Sequence, residues 1–180
     1  MGTGGRYTPH YTVADYEAWE GDWELWHGIP VAMGPSPFGL HSKILARVIT
    51  ALQNAVEATL GAATVLPELD WIIAADTVVR PDVLIACGSQ PERHLTSPPS
   101  VVVDVLSDST RDRDLHHKRR LYEEHGVDYY LILDPDNSQL TVLGRDQENR
   151  FAELSMNDGK LSLEICSDCR LTVSVDRIFG

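Results

Sequence analysis

Val101-Val-Val-Asp-Val-Leu106 is the stretch on which the fold turns. Its apolar run is short enough for a strand and too unbroken for one that shows a face to water. It therefore reads as a strand buried on both sides of a sheet. An unpaired carboxylate at such a position costs several kcal/mol, so Asp104 demands a cationic neighbour. Val78-Val-Arg-Pro-Asp-Val-Leu-Ile85 repeats the anomaly. There Asp82 follows a proline that holds the chain extended or turned and removes one ladder donor. Two acids on neighbouring apolar strands imply a shared occupant. The plainer alternative for each is a strand-end cap or an ion pair, and Arg80 is the leading partner for Asp82 if the strand stays regular through Pro81.

Downstream, the charged segment from about Ser109 to His125, stopped by Gly126, reads as a helix. At ~100° per residue, Leu115, Lys118, Leu121, Tyr122 and His125 fall within an arc of roughly 120°. Lys118 then points inward, while Arg119 and Arg120 project into solvent. Two strand carboxylates are hard oxygen ligands for Mg²⁺ or Mn²⁺, which bind through one or two carboxylates and leave room for waters and a substrate phosphate. A nearby ammonium orients the attacking water or the phosphate. Asp82 and Asp104 as metal ligands with Lys118 beside them thus point to phosphodiester hydrolysis. The competing reading of Lys118 is a side chain that only snorkels past Leu115 and Tyr122.

The chain has 180 residues, and its 15 Lys and Arg against 27 Asp and Glu give a net charge of −12. One domain with a full core is expected at this length. The acidic balance excludes coating of nucleic acid by a basic surface, so a polyanion has to be met at a local site. Three cysteines and a start without an apolar leader make the cytoplasm the expected compartment. Nothing approaches eighteen uninterrupted apolar residues, so no spanning helix is expected.

Residues 1–6 are Gly-rich and expected to be loose, leaving 7–180 for the domain. Thr12-Val-Ala-Asp15 reads as a capping box opening a short helix to about Trp19. A hairpin follows, with Trp23 to His27 and Ile29 to Met33 flanking His27-Gly28 and Pro30 suited to an edge. Gly34 to Gly39 is a loop. From His41 to Leu60 the apolar period is helical, with Gly61 as the stop. Strand-like runs follow at Ala63 to Ile73, Thr77 to Cys87 and Val101 to Leu106. Tyr129 to Asp134 and Gln139 to Gly144 form a hairpin around Asp134-Pro-Asp-Asn137, and weaker strands fall near Phe151 to Met156, Leu161 to Ile165 and Leu171 to Val175. An α/β or α+β arrangement is the economical outcome.

Four stretches carry a family resemblance: Trp23-Glu-Leu-Trp-His-Gly28, Val79-Arg-Pro-Asp-Val-Leu-Ile85, the run from Val101 to Lys118, and Leu121 to Pro135. With them the chain resembles the Uma-two family of restriction endonuclease-like proteins, a branch of the PD-(D/E)XK nuclease superfamily. The resemblance implies a mixed, twisted sheet flanked by helices, with additional hairpins. It also implies Asp82 as the aspartate of the Pro-Asp pair and Asp104 as the second acid, where this branch usually has Glu. The superfamily pattern wants lysine two residues on, where Leu106 stands, and in this branch the lysine comes from the following helix, here Lys118. By the same resemblance Glu24 and His41 lie near the site. Ser107 and Arg111 are candidates to contact a phosphate at the helix start.

The expected function is a divalent-metal-dependent DNA endonuclease, with a homodimer implied because cutting both strands with one site per chain calls for two copies. A non-catalytic nucleic-acid or protein-binding module that keeps the nuclease fold stays open, as does a purely structural dimerisation domain. Cys166-Ser-Asp-Cys169 has the spacing of half a zinc site but lacks a second pair, and adjacent His116 and His117 point too far apart to chelate together.

Overall fold

The computed structural model describes residues 8–34, 39–59, 61–167 and 169–180. The expected loose segment 1–6, most of the Gly34 to Gly39 loop, and Leu60 lie outside them. The architecture is mixed α+β, as the sequence implies, built on a six-stranded sheet, a four-stranded sheet and a two-stranded hairpin. β7 (Val101–Val105) is buried along its whole length. It pairs antiparallel with β6 (Val83–Cys87) and parallel with β8 (Tyr129–Asp134). A parallel pair needs a crossover, and residues 106–128 supply it as a helical segment laid over one face of the sheet.

The six-stranded sheet runs β10-β9-β8-β7-β6-β3, where β3 is Ala63–Pro67, β9 is Gln139–Arg145 and β10 is Phe151–Glu153. Strand alternation sends Val101, Val103 and Val105 to one face, against Ile44, Val48 and Leu52 of α2 (Gly39–Glu57). The hairpin of β11 (Lys160–Ile165) and β12 (Cys169–Ser174) closes the same core with Leu163, Ile165 and Leu171, and α4 (Asp176–Phe179) adds Ile178. Val102 faces the other way, into a second core with Leu84, Tyr130, Ile132, Leu121 and Tyr122. Asp104 shares that second face.

The smaller sheet runs β2-β1-β5-β4. β1 (Trp23–Trp26) and β2 (Ile29–Ala32) form the expected hairpin, with Pro30 on an edge strand. Its two-residue turn takes positive φ at both His27 and Gly28, the twist that suits a tight hairpin. The capping box at Thr12 is present and opens α1 (Val13–Tyr16).

Three expectations need correction. The run Ala63 to Ile73 is two strands, because Glu68 takes positive φ after Pro67 and turns the chain; β3 joins the large sheet and β4 (Trp71–Ala74) the small one. The run Thr77 to Cys87 likewise breaks at Arg80-Pro81, giving β5 (Thr77–Val79) to the small sheet and β6 to the large one. The charged helix is not regular. Arg113–Lys118 winds as π-helix and passes directly into α3 (Arg119–Glu124).

Cys87 and Cys166 are joined by a disulfide that ties β6 to the end of β11, while Cys169 is free and buried. With Cys166 so engaged, Cys166-Ser-Asp-Cys169 is no half zinc site. A cross-link over 79 residues contributes about 4–5 kcal/mol in the chain-entropy limit. Such a bond is unexpected for the reducing compartment that the cysteine count implied.

Leu52 is 1% exposed where α2 meets the large sheet, so Leu52→Ala should lower stability by about 2–5 kcal/mol. Urea unfolding measures this, and a loss under about 1 kcal/mol would mean that α2 is not packed as described.

Candidate active site

The break at Arg80-Pro81 sets Asp82 at the junction of the two sheets. Val83 pairs with Val103, so one step further Asp82 comes opposite Asp104. The Val105 N–H donates to Asp82 Oδ2 at 2.6 Å, and the Asp82 N–H donates to Asp104 Oδ1 at 3.4 Å. Arg80 does not pair with Asp82. Its guanidinium binds Asp70 at 2.7 Å and Asp22 at 2.9 Å, while its backbone N–H donates to Glu24 Oε1 at 2.7 Å. Glu24, buried on β1, also accepts from Trp26 Nε1 at 3.2 Å.

From the crossover, Lys118 reaches into this junction. Its ammonium lies 3.4 Å from Glu24 Oε1, 3.4 Å from Asp104 Oδ1 and 3.6 Å from Asp114 Oδ1. Asp114 went unremarked in the sequence. The available signal was its place four residues before an inward lysine, a spacing that puts both on one helix face, and π-helical turns recur at functional sites. Tyr130 and Tyr122 close the back of the pocket, donating to Asp104 Oδ2 at 2.9 and 3.3 Å. His41, in the first turn of α2, faces Asp82 Oδ2 through Nε2 at 3.5 Å, and its Nδ1 is buried with no hydrogen-bond partner among the described residues.

A cavity of about 630 Å³ opens onto these groups. Glu24, His41, Asp82, Ser107, Asp114 and Lys118 all line it, with Arg113 at its wall. Asp104 sits one layer deeper, 2% exposed. The site residues expected from sequence are therefore brought together, except for Arg111. That guanidinium forks onto Asp134 at 2.9 and 3.1 Å and does not line the cavity.

Charge does not balance here. An ammonium–carboxylate contact near 3.4 Å is worth roughly 5 kcal/mol at an effective dielectric of ~20, comparable with the several kcal/mol that each buried ion loses in hydration. One ammonium cannot hold three buried carboxylates and Asp82 ionised together. Burial, with Asp114 and Asp82 nearby, pushes Asp104 up to about 7 despite Lys118. Asp114 is raised too, chiefly by burial. Burial alone would lower Lys118, but Asp104, Glu24 and Asp114 hold it well above its ordinary value, so it stays a cation and is no base. Burial and the Asp104 charge raise Tyr130 and Tyr122, which keeps both hydroxyls as donors. For His41, burial pulls down while Asp82 and the Val105 backbone pull up, with a net rise.

The donor set suits a hard divalent cation: all oxygen, with more carboxylate than the resident cations neutralise. Its count is small. Among the described residues no group of three or more His, Cys, Asp or Glu is arranged to hold a metal ion, so the fit is that of a two-carboxylate site completed by water and substrate.

The fold is that of a restriction-endonuclease-like protein. The chain belongs to the Uma2 family, described as "Putative restriction endonuclease", whose model matches residues 13–175. Among solved structures it is similar to "a putative nuclease belonging to DUF820 from Anabaena variabilis ATCC 29413". The likeness covers 94% of this chain and 97% of that one, with a TM-score of 0.73 and 17% identity, and is one of fold. No curated protein matches the sequence. Among the described residues no helix is long and apolar enough to cross a membrane.

A pH dependence of stability follows from the raised acids. Between about pH 4 and pH 7 native Asp104 keeps a proton that the unfolded chain has lost, so stability falls as pH rises through that window. Asp134, held down to about 2 chiefly by Arg111, does not contribute there, because its stabilisation is complete above about pH 4. Asp104→Asn should reduce the slope and leave the part due to Asp114. Urea midpoints across the window measure it, and an unchanged slope would contradict the protonated Asp104.

Proposed function

We propose that this protein is a divalent-metal-dependent endonuclease that hydrolyses phosphodiester bonds of DNA. The observation that carries the reading is the meeting of Asp82, Glu24 and Lys118, from three separate segments, at one cavity with Asp104 directly behind them. Asp82 and Asp104 would hold Mg²⁺ or Mn²⁺. When bound, the ion would supply polarisation of the scissile phosphate and a more acidic water. Lys118, a permanent cation, orients the phosphate and offsets its developing charge. Glu24, fixed by the Arg80 N–H and the Trp26 indole, sets the position of the ammonium. His41 at the cavity wall accepts or returns a proton on the solvent side of Asp82, and the Ser107 hydroxyl offers a hydrogen bond to a phosphate oxygen.

One observation favours a second reading, a nucleic-acid- or protein-binding module with the nuclease fold and no catalysis. Both Asp104 oxygens are already engaged, by Tyr130 and Tyr122 on one side and Lys118 on the other. A homodimer is proposed for a duplex cutter, with two centres related by a two-fold axis. Cytoplasmic residence is proposed alongside its substrate, where the Cys87–Cys166 bond would face a reducing glutathione pool.

Incubation with single- and double-stranded DNA and Mn²⁺ tests the enzyme. Asp82→Ala and Lys118→Ala should each lower the cleavage rate by a factor on the order of 100 or more, the scale of losing a principal electrostatic group. Equal cleavage by wild type and Asp82→Ala would mark a contaminant and overturn the assignment. Metal-dependent binding of DNA with no cleavage would favour the binding module.

A further inference from the structure

The helical segment that carries Lys118 lines two separate hollows. Arg113, Asp114 and Lys118 give one side of it to the cavity of the candidate site, while Leu115, His116, Arg119, Arg120 and Glu123 form a second side. That second side walls a groove of about 460 Å³, completed by Arg150 and Phe151. A neighbouring hollow of about 450 Å³ shares Arg120, Glu123 and Arg150 and adds Glu124, Arg145 and Asn149. Four arginines thus face two glutamates in a chain whose net charge is −12.

The arginines differ in their duties. Arg145 is structural, donating to the carbonyls of Val127, Asn149 and Glu123 and lying 5.8 Å from the Phe151 ring centre. Glu123 is largely consumed, accepting from the Phe151 N–H at 2.5 Å and facing Arg150 at 3.6 Å. Arg119 and Arg120 are exposed, and among the described residues neither forms an ion pair. The result is a fixed aromatic and aliphatic floor, Phe151 and Leu115, under uncommitted guanidinium groups. Guanidinium forks match phosphate oxygens in pairs, and an acidic surround makes such a patch selective for what the rest of the surface repels.

We propose that the Arg119–Arg120–Arg150 groove is a docking site for the phosphate backbone of nucleic acid, outside the cavity that holds Lys118. This rests on the nuclease reading for its biological sense, since it would grip the stretch flanking the one in the cavity. Because one helical segment builds both sites, backbone held in the groove fixes the register of the strand presented to Asp82 and Lys118.

The test is fluorescence anisotropy of a labelled DNA duplex in EDTA, across a salt series, with wild type, Arg119→Glu/Arg120→Glu and Arg119→Ala/Arg120→Ala. These arginines are exposed, and thermal unfolding checks that the variants fold. Charge reversal should weaken binding at least about tenfold near 0.1 M salt, and the alanine pair should lower the log–log salt slope by about two, roughly one for each phosphate that is no longer neutralised. Unchanged affinity and slope in both arginine variants would overturn the groove while leaving cleavage, and hence the nuclease reading, untouched. Arginine-dependent binding by a wild type that never cleaves would uphold the groove and sink the nuclease reading instead. Binding of poly-glutamate through the same arginines, with none of DNA, would identify an acidic protein partner and overturn the proposal.

Discussion

A single ammonium buried among three carboxylates joins the parts of this molecule. Lys118 contacts Glu24 from the four-stranded sheet, Asp104 from the six-stranded sheet and Asp114 from its own helical segment, all within 3.6 Å. Losing one partner from such a buried cluster costs about 3–5 kcal/mol, because the groups left behind stay uncompensated. The same contacts therefore align the two sheets and assemble the cavity. Stability and site geometry share one set of side chains.

That cluster is also unbalanced. Asp82 brings a fourth carboxylate, and burial first, with Asp114 and Asp82 adding to it, raises Asp104 to about 7 despite Lys118. A cation arriving at the cavity would relieve that imbalance. Elsewhere the charge is sorted by face. The acids gather at the sheet junction with Arg80, Arg113 and Lys118, while Arg119, Arg120 and Arg150 line the groove on another side of the segment carrying Lys118.

Much of this was legible because it violated pattern. Asp104 stood out in an all-valine strand, Asp82 after a proline, and Lys118 on an apolar helix face, and the structure brings the three together. Residues that obeyed pattern stayed hidden. Asp114 reads as one more charge in a charged helix, and only its place four residues before Lys118 ties it to that lysine's face. Arg111 looked free for phosphate, but the Asp134 turn 23 residues away claims its guanidinium. The division of strands between two sheets was partly written at Pro81 and, before the turn at Glu68, at Pro67. The Cys87–Cys166 pairing spans 79 residues, and spacing alone does not reveal such a bond.

Calorimetric titration of Mn²⁺ into wild type, Asp82→Ala and Asp104→Asn addresses the central claim most directly, because it asks the carboxylates themselves rather than a cleavage product. One saturable site is expected in wild type, lost in Asp82→Ala and sharply weakened in Asp104→Asn. Equal binding by all three proteins would contradict that claim.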